Sequence, residues 1–290
     1  MNRLSTKQLE LKATAIREDV IQMLLAAGSG HTAGPLGMAD VVTALYFEVL
    51  NHDPKKPRWK GRDRLVLSNG HIVPVLYAAL AESDYLPKSE LLTLRKFGSR
   101  LQGHPERLRL PGLETTSGPL GSGLSQAIGM ALGLRMDDSR EQRVYCLTGD
   151  GELDEGNIWE AVMLAGKQRL SNLTVIIDRN NIQIDGPTED VMPLEPLAMK
   201  WQAFNWHVIE IDGHNFEEII AACNLAKAVY ERPTCIIAHT IPGKGVDFMQ
   251  NDFRWHGYDP AGDREKQRRD YHAALEKLRT LNGQIRSEHE

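Results

Sequence analysis

Two segments of the sequence place oxygen-bearing side chains where a ligand could meet them. An apolar run, Val144 to Thr148, leads into Gly149-Asp150-Gly151. A second, Leu173 to Asp178, leads into Asn180-Asn181. Asp150 and Asn180 are 30 positions apart, the length of one strand–helix–strand unit. If the strands are neighbours, a carboxylate and an amide carbonyl reach one pocket. That pair suits a hard cation. Mg²⁺ takes about six oxygens in octahedral geometry and usually shares phosphate oxygens with its ligand. The glycines beside Asp150 let backbone N–H groups approach a phosphate closely. A helix after the loop would point its positive end at the same place. The combination points to a magnesium diphosphate. A GDG turn alone is common, but GDG and NN ending consecutive strands at this spacing is far more specific.

Competing phosphate motifs fail. There is no GxxxxGK[ST], so no P-loop. Gly118-Pro-Leu-Gly121-Ser-Gly123 follows no strand, and Gln126 stands where a dinucleotide fingerprint needs its third glycine. Five of the ten histidines, His31, His71, His104, His214 and His256, sit beside a glycine in loops. Loop histidines are more often surface or capping residues. His214, followed by Asn215 and Glu217, reads as a helix start. Gathered in one cleft, however, such histidines would bind sugar hydroxyls and move protons near neutral pH. Spacing alone does not gather them.

The elements that would position these residues alternate along the chain. Leu9, Ala13, Ile16, Val20, Met23 and Ala27 draw one helical face. Ser5 and Gln8 can form a capping box, and Gly28 a stop. A second helix is predicted over Met38 to Leu50. Strands are predicted at Arg64–Ser68, Val144–Thr148, Leu173–Asp178, His207–Ile211 and Thr234–His239. Helices are predicted at 74–82, 123–136, 157–168, 196–204, 216–230 and 263–281. Residues 97–122 read as a long loop, which in a compact protein is usually functional or disordered. Solid apolar strands alternating with helices predict an α/β fold: a parallel sheet with helices on both faces. Such sheets bind ligands at the carboxyl ends of their strands. With no repeat and no linker, residues 1–290 read as one domain.

Composition agrees. The chain has 290 residues, 41% hydrophobic and 25% charged, enough apolar material for a core. Its net charge of −5 argues against a nucleic-acid protein. Cys146, Cys223 and Cys235 share no CxxC spacing, so buried, reduced thiols are expected rather than a disulfide framework or zinc site. There is no signal peptide and no uncharged apolar run of about 18 residues. A cytoplasmic location, with no membrane contact, is the expectation.

The segment GDGELDEGNIWEAVMLAGKQRLSNLTVIIDRNNIQIDG resembles the thiamine-diphosphate signature of transketolases. SGHTAGPLG at 29–37, LSNGH at 67–71, GHPE at 103–106, GPLGSGL at 118–124 and WHG at 255–257 extend the resemblance, in the family's order, over nearly the whole chain. The resemblance implies a thiamine-diphosphate-binding fold with thiamine diphosphate and Mg²⁺ as cofactors. It implies Asp150, Asn180 and the main-chain carbonyl of Ile182 as Mg²⁺ ligands. It implies cofactor contacts from His71, Gly118, Pro119, Leu120, Gly151, Asn180 and His256. His31, His104 and His256 match residues that bind donor-sugar hydroxyls and assist proton transfer. Glu155 matches an acid of an inter-subunit proton network, with a helix-start role as the plain alternative. Thr32 departs from the family's SGHP, a change expected to matter little. Pro242 stands where related chains often carry Lys. Lys244, two residues later, is either a replacement or a solvated loop lysine.

No segment resembles the family's pyrimidine-binding and C-terminal domains. The resemblance therefore implies the N-terminal subunit of a split transketolase, with a C-terminal partner subunit in an α2β2 assembly. The activity implied is transfer of a two-carbon ketol unit from a ketose phosphate to an aldose, with the thiazolium as electron sink. Deoxyxylulose-phosphate synthase and 2-oxoacid decarboxylase components share GDG…NN but should lack the combined SGH, GHPE and WHG histidines. A non-catalytic regulatory subunit is the remaining alternative. A pentose-phosphate role is the default, and an unusual or sulfonated ketose is open.

Overall fold

A computed structural model describes residues 3–139, 141–258 and 262–280. Helix α1 (Thr6–Ala27) has Ser5 as its cap, with both bonds of the capping box to Gln8, and ends at Gly28 in the left-handed conformation. Short helices α2 (Ala33–Gly37) and α3 (Ala39–Ala44) follow. The single helix predicted over Met38–Leu50 is instead α3 running into a π-helical turn at Leu45–Val49. Pattern reading cannot see that change of hydrogen-bond register, because the apolar face continues through it.

Strand β1 (Arg64–Leu67) and helices α4 (Val73–Glu82) and α5 (Ser122–Met136) come next. Then follow β2 (Val144–Gly149), α6 (Gly156–Gln168) and β3 (Leu173–Arg179). A two-stranded antiparallel hairpin, β4 (Ile182–Gln183) and β5 (Gly186–Pro187), leads to α7 (Thr188–Val191) and α8 (Leu197–Ala203). The chain closes with β6 (His207–Asp212), α9 (Phe216–Ala228), β7 (Thr234–His239) and α10 (Arg264–Thr280). Leu281, the end predicted for the last helix, lies outside the described residues.

The main sheet is parallel throughout, in the order β1-β2-β3-β7-β6. Successive strand residues face opposite layers. Leu65, Leu67, Tyr145, Leu147 and Ile176 pack in one core with α1, α3, α4, α9 and α10. Val66, Val144, Cys146, Val175 and Ile177 pack in the other with α5, α6 and α8. This is the predicted arrangement, a parallel sheet covered on both faces. Burial of nearly every residue in β2 and β3 explains their continuous apolar runs. The three cysteines are buried and unpaired with one another. Among the described residues no helix is long and apolar enough to cross a membrane.

Two details hold the ligand-facing end in place. Arg17 and Asp40, both buried, pair through Nη1–Oδ1 (2.9 Å) and Nη2–Oδ2 (2.6 Å), and Arg17 Nε donates to the Leu36 carbonyl. His214 is not merely a helix start. Its Nε2 accepts from the Ile241 amide at 2.8 Å, so Nδ1 carries the proton and donates to Asp40 Oδ2 at 2.7 Å. Asn215 does the capping of α9. Burial alone would raise the Asp40 carboxyl, but the Arg17 charge and the bonds from Arg17 and His214 hold it at about 2.

Candidate active site

Parallel pairing in register aligns Gly149 with Asp178, and Asp178 with Ala238. The carboxyl ends of β1, β2 and β3 therefore open on one place. A cavity of about 340 Å³ lies there. Its walls include His31, Asn69, His71, His104, Gly118, Leu120, Asp150, Gly151, Asn180, Ile182 and His256. The structure thus brings together all the proposed metal residues, all three proposed sugar-contacting histidines, and most of the proposed cofactor contacts. Pro119 is exposed and is not among the lining residues; its carbonyl accepts from Ser122 Oγ. Glu155 is also outside the cavity, exposed at the start of α6 without capping it.

Asp150 is held from several sides. Its Oδ2 accepts from the Asn181 amide (2.7 Å), Arg179 Nη1 (3.1 Å) and Thr188 Oγ1 (3.3 Å), and Oδ1 accepts only from the Gly151 amide (2.8 Å). Burial pushes its carboxyl up, against the pull of Arg179. Asn180 donates to Asp178 Oδ2 at 2.8 Å, and its Oδ1 accepts from the Ile182 amide at 3.0 Å. Asp178 also accepts a short hydrogen bond from Thr240 Oγ1. Burial raises the Asp178 carboxyl to about 7. Asp150 and Asn180 thus each keep an oxygen lone pair for a cation. A carboxylate and an amide carbonyl are the hard oxygen donors that Mg²⁺ takes.

Glycines line part of the cavity. Gly118 has open space where its Cβ would be, whereas a Cβ on Gly151 would press on Gln183 at 3.2 Å. A 3₁₀ turn, Gly151–Asp154, lies between β2 and α6. Within it sits a residue to which the motif itself assigns no role. Glu152, 2% exposed, accepts from Ser68 Oγ and the Gly121 amide on Oε1, and from the Gly149 amide on Oε2. It ties β1, the 118–121 loop and the GDG turn together. Its partners lie up to 84 positions away, so no local signal could have found it.

Three imidazoles form a cluster. Ring centroids are 4.8 Å apart for His31–His71, 5.1 Å for His71–His256 and 5.4 Å for His31–His256. A bridge between His31 and Gly257, and the Thr32 amide on the His256 carbonyl, join their two loops. Burial lowers all three, His31 to about 3, so they are neutral at pH 7. His31 Nδ1 and His256 Nδ1 are buried without partners. His104 is more exposed and lowered by burial and by Arg95. Lys244 is no solvated loop lysine; it is 5% exposed and is not part of the cavity wall. Thr32, fully buried, pairs with Tyr271 of α10 at 2.9 Å.

Residues 9–275 match the family profile described as transketolase, thiamine diphosphate binding domain. The chain belongs to the transketolase family. It is 45% identical over 255 residues to a 6-deoxy-6-sulfo-D-fructose transketolase subunit of Clostridium sp. (strain MSTE9), covering 87% of this chain and 92% of that protein. It is 39% identical over 280 residues to an apulose-4-phosphate transketolase subunit of Phocaeicola vulgatus, covering 96% of this chain and 99% of that protein. The Campylobacter jejuni transketolase structure superposes with a TM-score of 0.83 at 32% identity, over 97% of this chain. This chain spans 48% of the Campylobacter jejuni chain, and so corresponds to the N-terminal, thiamine-diphosphate-binding part of such transketolases.

Proposed function

We propose that this transketolase-family chain acts as the diphosphate-holding subunit of a two-chain transketolase. The observation that carries this reading is the convergence of Asp150, Asn180, Ile182 and the His31–His71–His256 cluster on one cavity. Asp150, Asn180 and the Ile182 carbonyl would hold Mg²⁺. His71, Gly151, Gly118 and Leu120 would bound the thiamine diphosphate, with Pro119 shaping the loop from outside. When bound, thiamine diphosphate supplies the electron sink for breaking and forming the carbon–carbon bond.

The chain's own residues then bind and orient. The neutral His31, His104 and His256 donate to or accept from hydroxyls of a ketose, and their free nitrogens can take or return a hydroxyl proton. Neutral imidazoles suit this better than imidazolium ions, which have no acceptor. Glu155, exposed at the start of α6, is available to a partner's acid. Both subunit-type relatives are named as transketolase subunits for a sugar with an anionic group, a sulfonate in one and a phosphate in the other. The proposed substrate class is the same: a ketose bearing a terminal anion, donating a two-carbon ketol unit to an aldose.

A tagged chain, isolated with its co-eluting partner, provides the test. Supplied with thiamine diphosphate, Mg²⁺ and ketose phosphates or sulfonates, the pair should release an aldose without CO₂. CO₂ from a 2-oxoacid instead, or no turnover with any ketose, would overturn the proposal.

A further inference from the structure

Three side chains on the cavity wall carry buried polar atoms without a partner: His31, Asn69 and His256. The two histidines each lack one bond. Asn69 lacks all of its side-chain bonds: Oδ1 and Nδ2 are both buried and both unpaired, on a residue 0% exposed. An amide left unmet in a buried position is costly. Buried polar groups in folded proteins are almost always satisfied by protein, water or ligand.

The backbone around Asn69 forms a tight, closely packed turn. Asn69 precedes the 3₁₀ turn Gly70–Ile72, the position where an asparagine side chain normally caps. Here it makes no cap bond. Its φ of −72° and ψ of 64°, with the Gly70 amide on the Ser68 carbonyl at 2.8 Å, define an inverse γ-turn. Gly70 packs so tightly that an added Cβ would lie 2.7 Å from Ser117 Cβ. Ser117 in turn is bonded to the Leu67 carbonyl. Gly149 is a neighbour of Asn69, where an added Cβ would lie 3.8 Å from Asn69 Cβ and Nδ2. Asn69 therefore packs beside Gly149, the first residue of the GDG turn, on the wall of the cavity.

We propose that Asn69 is a further ligand-binding residue of the diphosphate site, donating from Nδ2 to an anionic phosphate oxygen and accepting at Oδ1 from a water of the metal–diphosphate complex. This rests on the reading that the cavity holds a magnesium diphosphate. The amide is the right group there, because a carboxylate would repel the anion and a lysine ammonium would have no acceptor. One hydrogen bond to an ionised group corresponds to about ten- to a hundredfold in affinity.

The test titrates Mg²⁺ with inorganic pyrophosphate, and Mg²⁺ with thiamine diphosphate, by calorimetry into the chain isolated with its co-eluting partner. It compares wild type with Asn69→Ala and Asn69→Asp, and records the melting temperature of each ligand-free protein. Asn69→Ala is expected to weaken both complexes at least tenfold while leaving the ligand-free melting temperature unchanged or higher, since no internal bond is lost. Asn69→Asp is expected to weaken them further. Binding within twofold of wild type in Asn69→Ala would overturn the inference and leave water as the partner of the amide. A ligand-free melting temperature several degrees lower in Asn69→Ala would overturn it as well, by marking a structural asparagine. If wild type itself binds neither ligand, the diphosphate reading of the cavity fails first.

Discussion

Glu152 offers a sharp test of how the site is assembled. Replacing it with alanine removes three hydrogen bonds, from Ser68 Oγ and the amides of Gly121 and Gly149. Two of the orphaned donors are backbone N–H groups, and each would cost about 1–3 kcal/mol if it stayed dry. Water entering from the adjoining cavity would recover part of that, as would relief from burying a carboxylate that burial pushes up. The net loss comes to about 3 kcal/mol, a large share of the ~5–15 kcal/mol that holds a typical protein folded. In a chain of 290 residues it lowers the melting temperature by about 5 °C. Glu152→Gln should also destabilise, because with its oxygen toward Gly121 its NH₂ meets the Gly149 N–H, donor against donor. Thermal unfolding followed by circular dichroism reads both. A Glu152→Ala protein melting within about 1 °C of wild type would refute the claim that this carboxylate ties the 118–121 loop to the GDG turn.

Other outcomes follow from the same geometry. Arg17→Leu leaves the Asp40 carboxylate buried without its main cation and should cost about 3–5 kcal/mol in urea unfolding at pH 7. Gly123→Ala places a Cβ 2.4 Å from Ser68 Oγ and 2.6 Å from Ser68 Cα, so it should lower the melting temperature and disturb the Ser68–Glu152 link. His31 is held at about 3 in the folded chain, below its unfolded value of about 6.5. The unfolded chain therefore takes up this proton first, and stability present above pH 6.5 is lost as the pH falls. At pH 5.5 His31 alone costs about 1.4 kcal/mol, and His71 and His256 act in the same direction. Urea midpoints at pH 7.5 and 5.5 measure the slope, and His31→Phe should flatten it.

The strand ends are legible in the sequence because burial on both faces writes β2 and β3 as unbroken apolar runs, ending at the GDG and NN turns. Helix α1 is legible from its cap and its stop. The family resemblance supplies the positions of His31, His71, His104 and His256, and the structure supplies the cluster, since no spacing rule brings residues 31, 71 and 256 within about 5 Å of one another. Glu152 and Asn69 escape a sequence reading for a common reason. Both lie inside motifs whose neighbours carry the signal, and their meaning comes from long-range contacts, or from the lack of any. His214 has the sequence context of a helix start, while its ring is claimed by Asp40, 174 positions away. The π-helical turn after α3 leaves no trace in the apolar periodicity.

The central claim is that this chain holds the metal and the diphosphate together through Asp150 and Asn180. Mn²⁺ in place of Mg²⁺ tests it directly by electron paramagnetic resonance. With thiamine diphosphate present, the account predicts bound Mn²⁺ showing coupling to phosphorus. It predicts loss of that signal in Asp150→Asn, with the protein still folded by circular dichroism. A phosphorus-coupled signal that survives unchanged in Asp150→Asn, or thiamine diphosphate bound equally well with every divalent cation chelated, would contradict it.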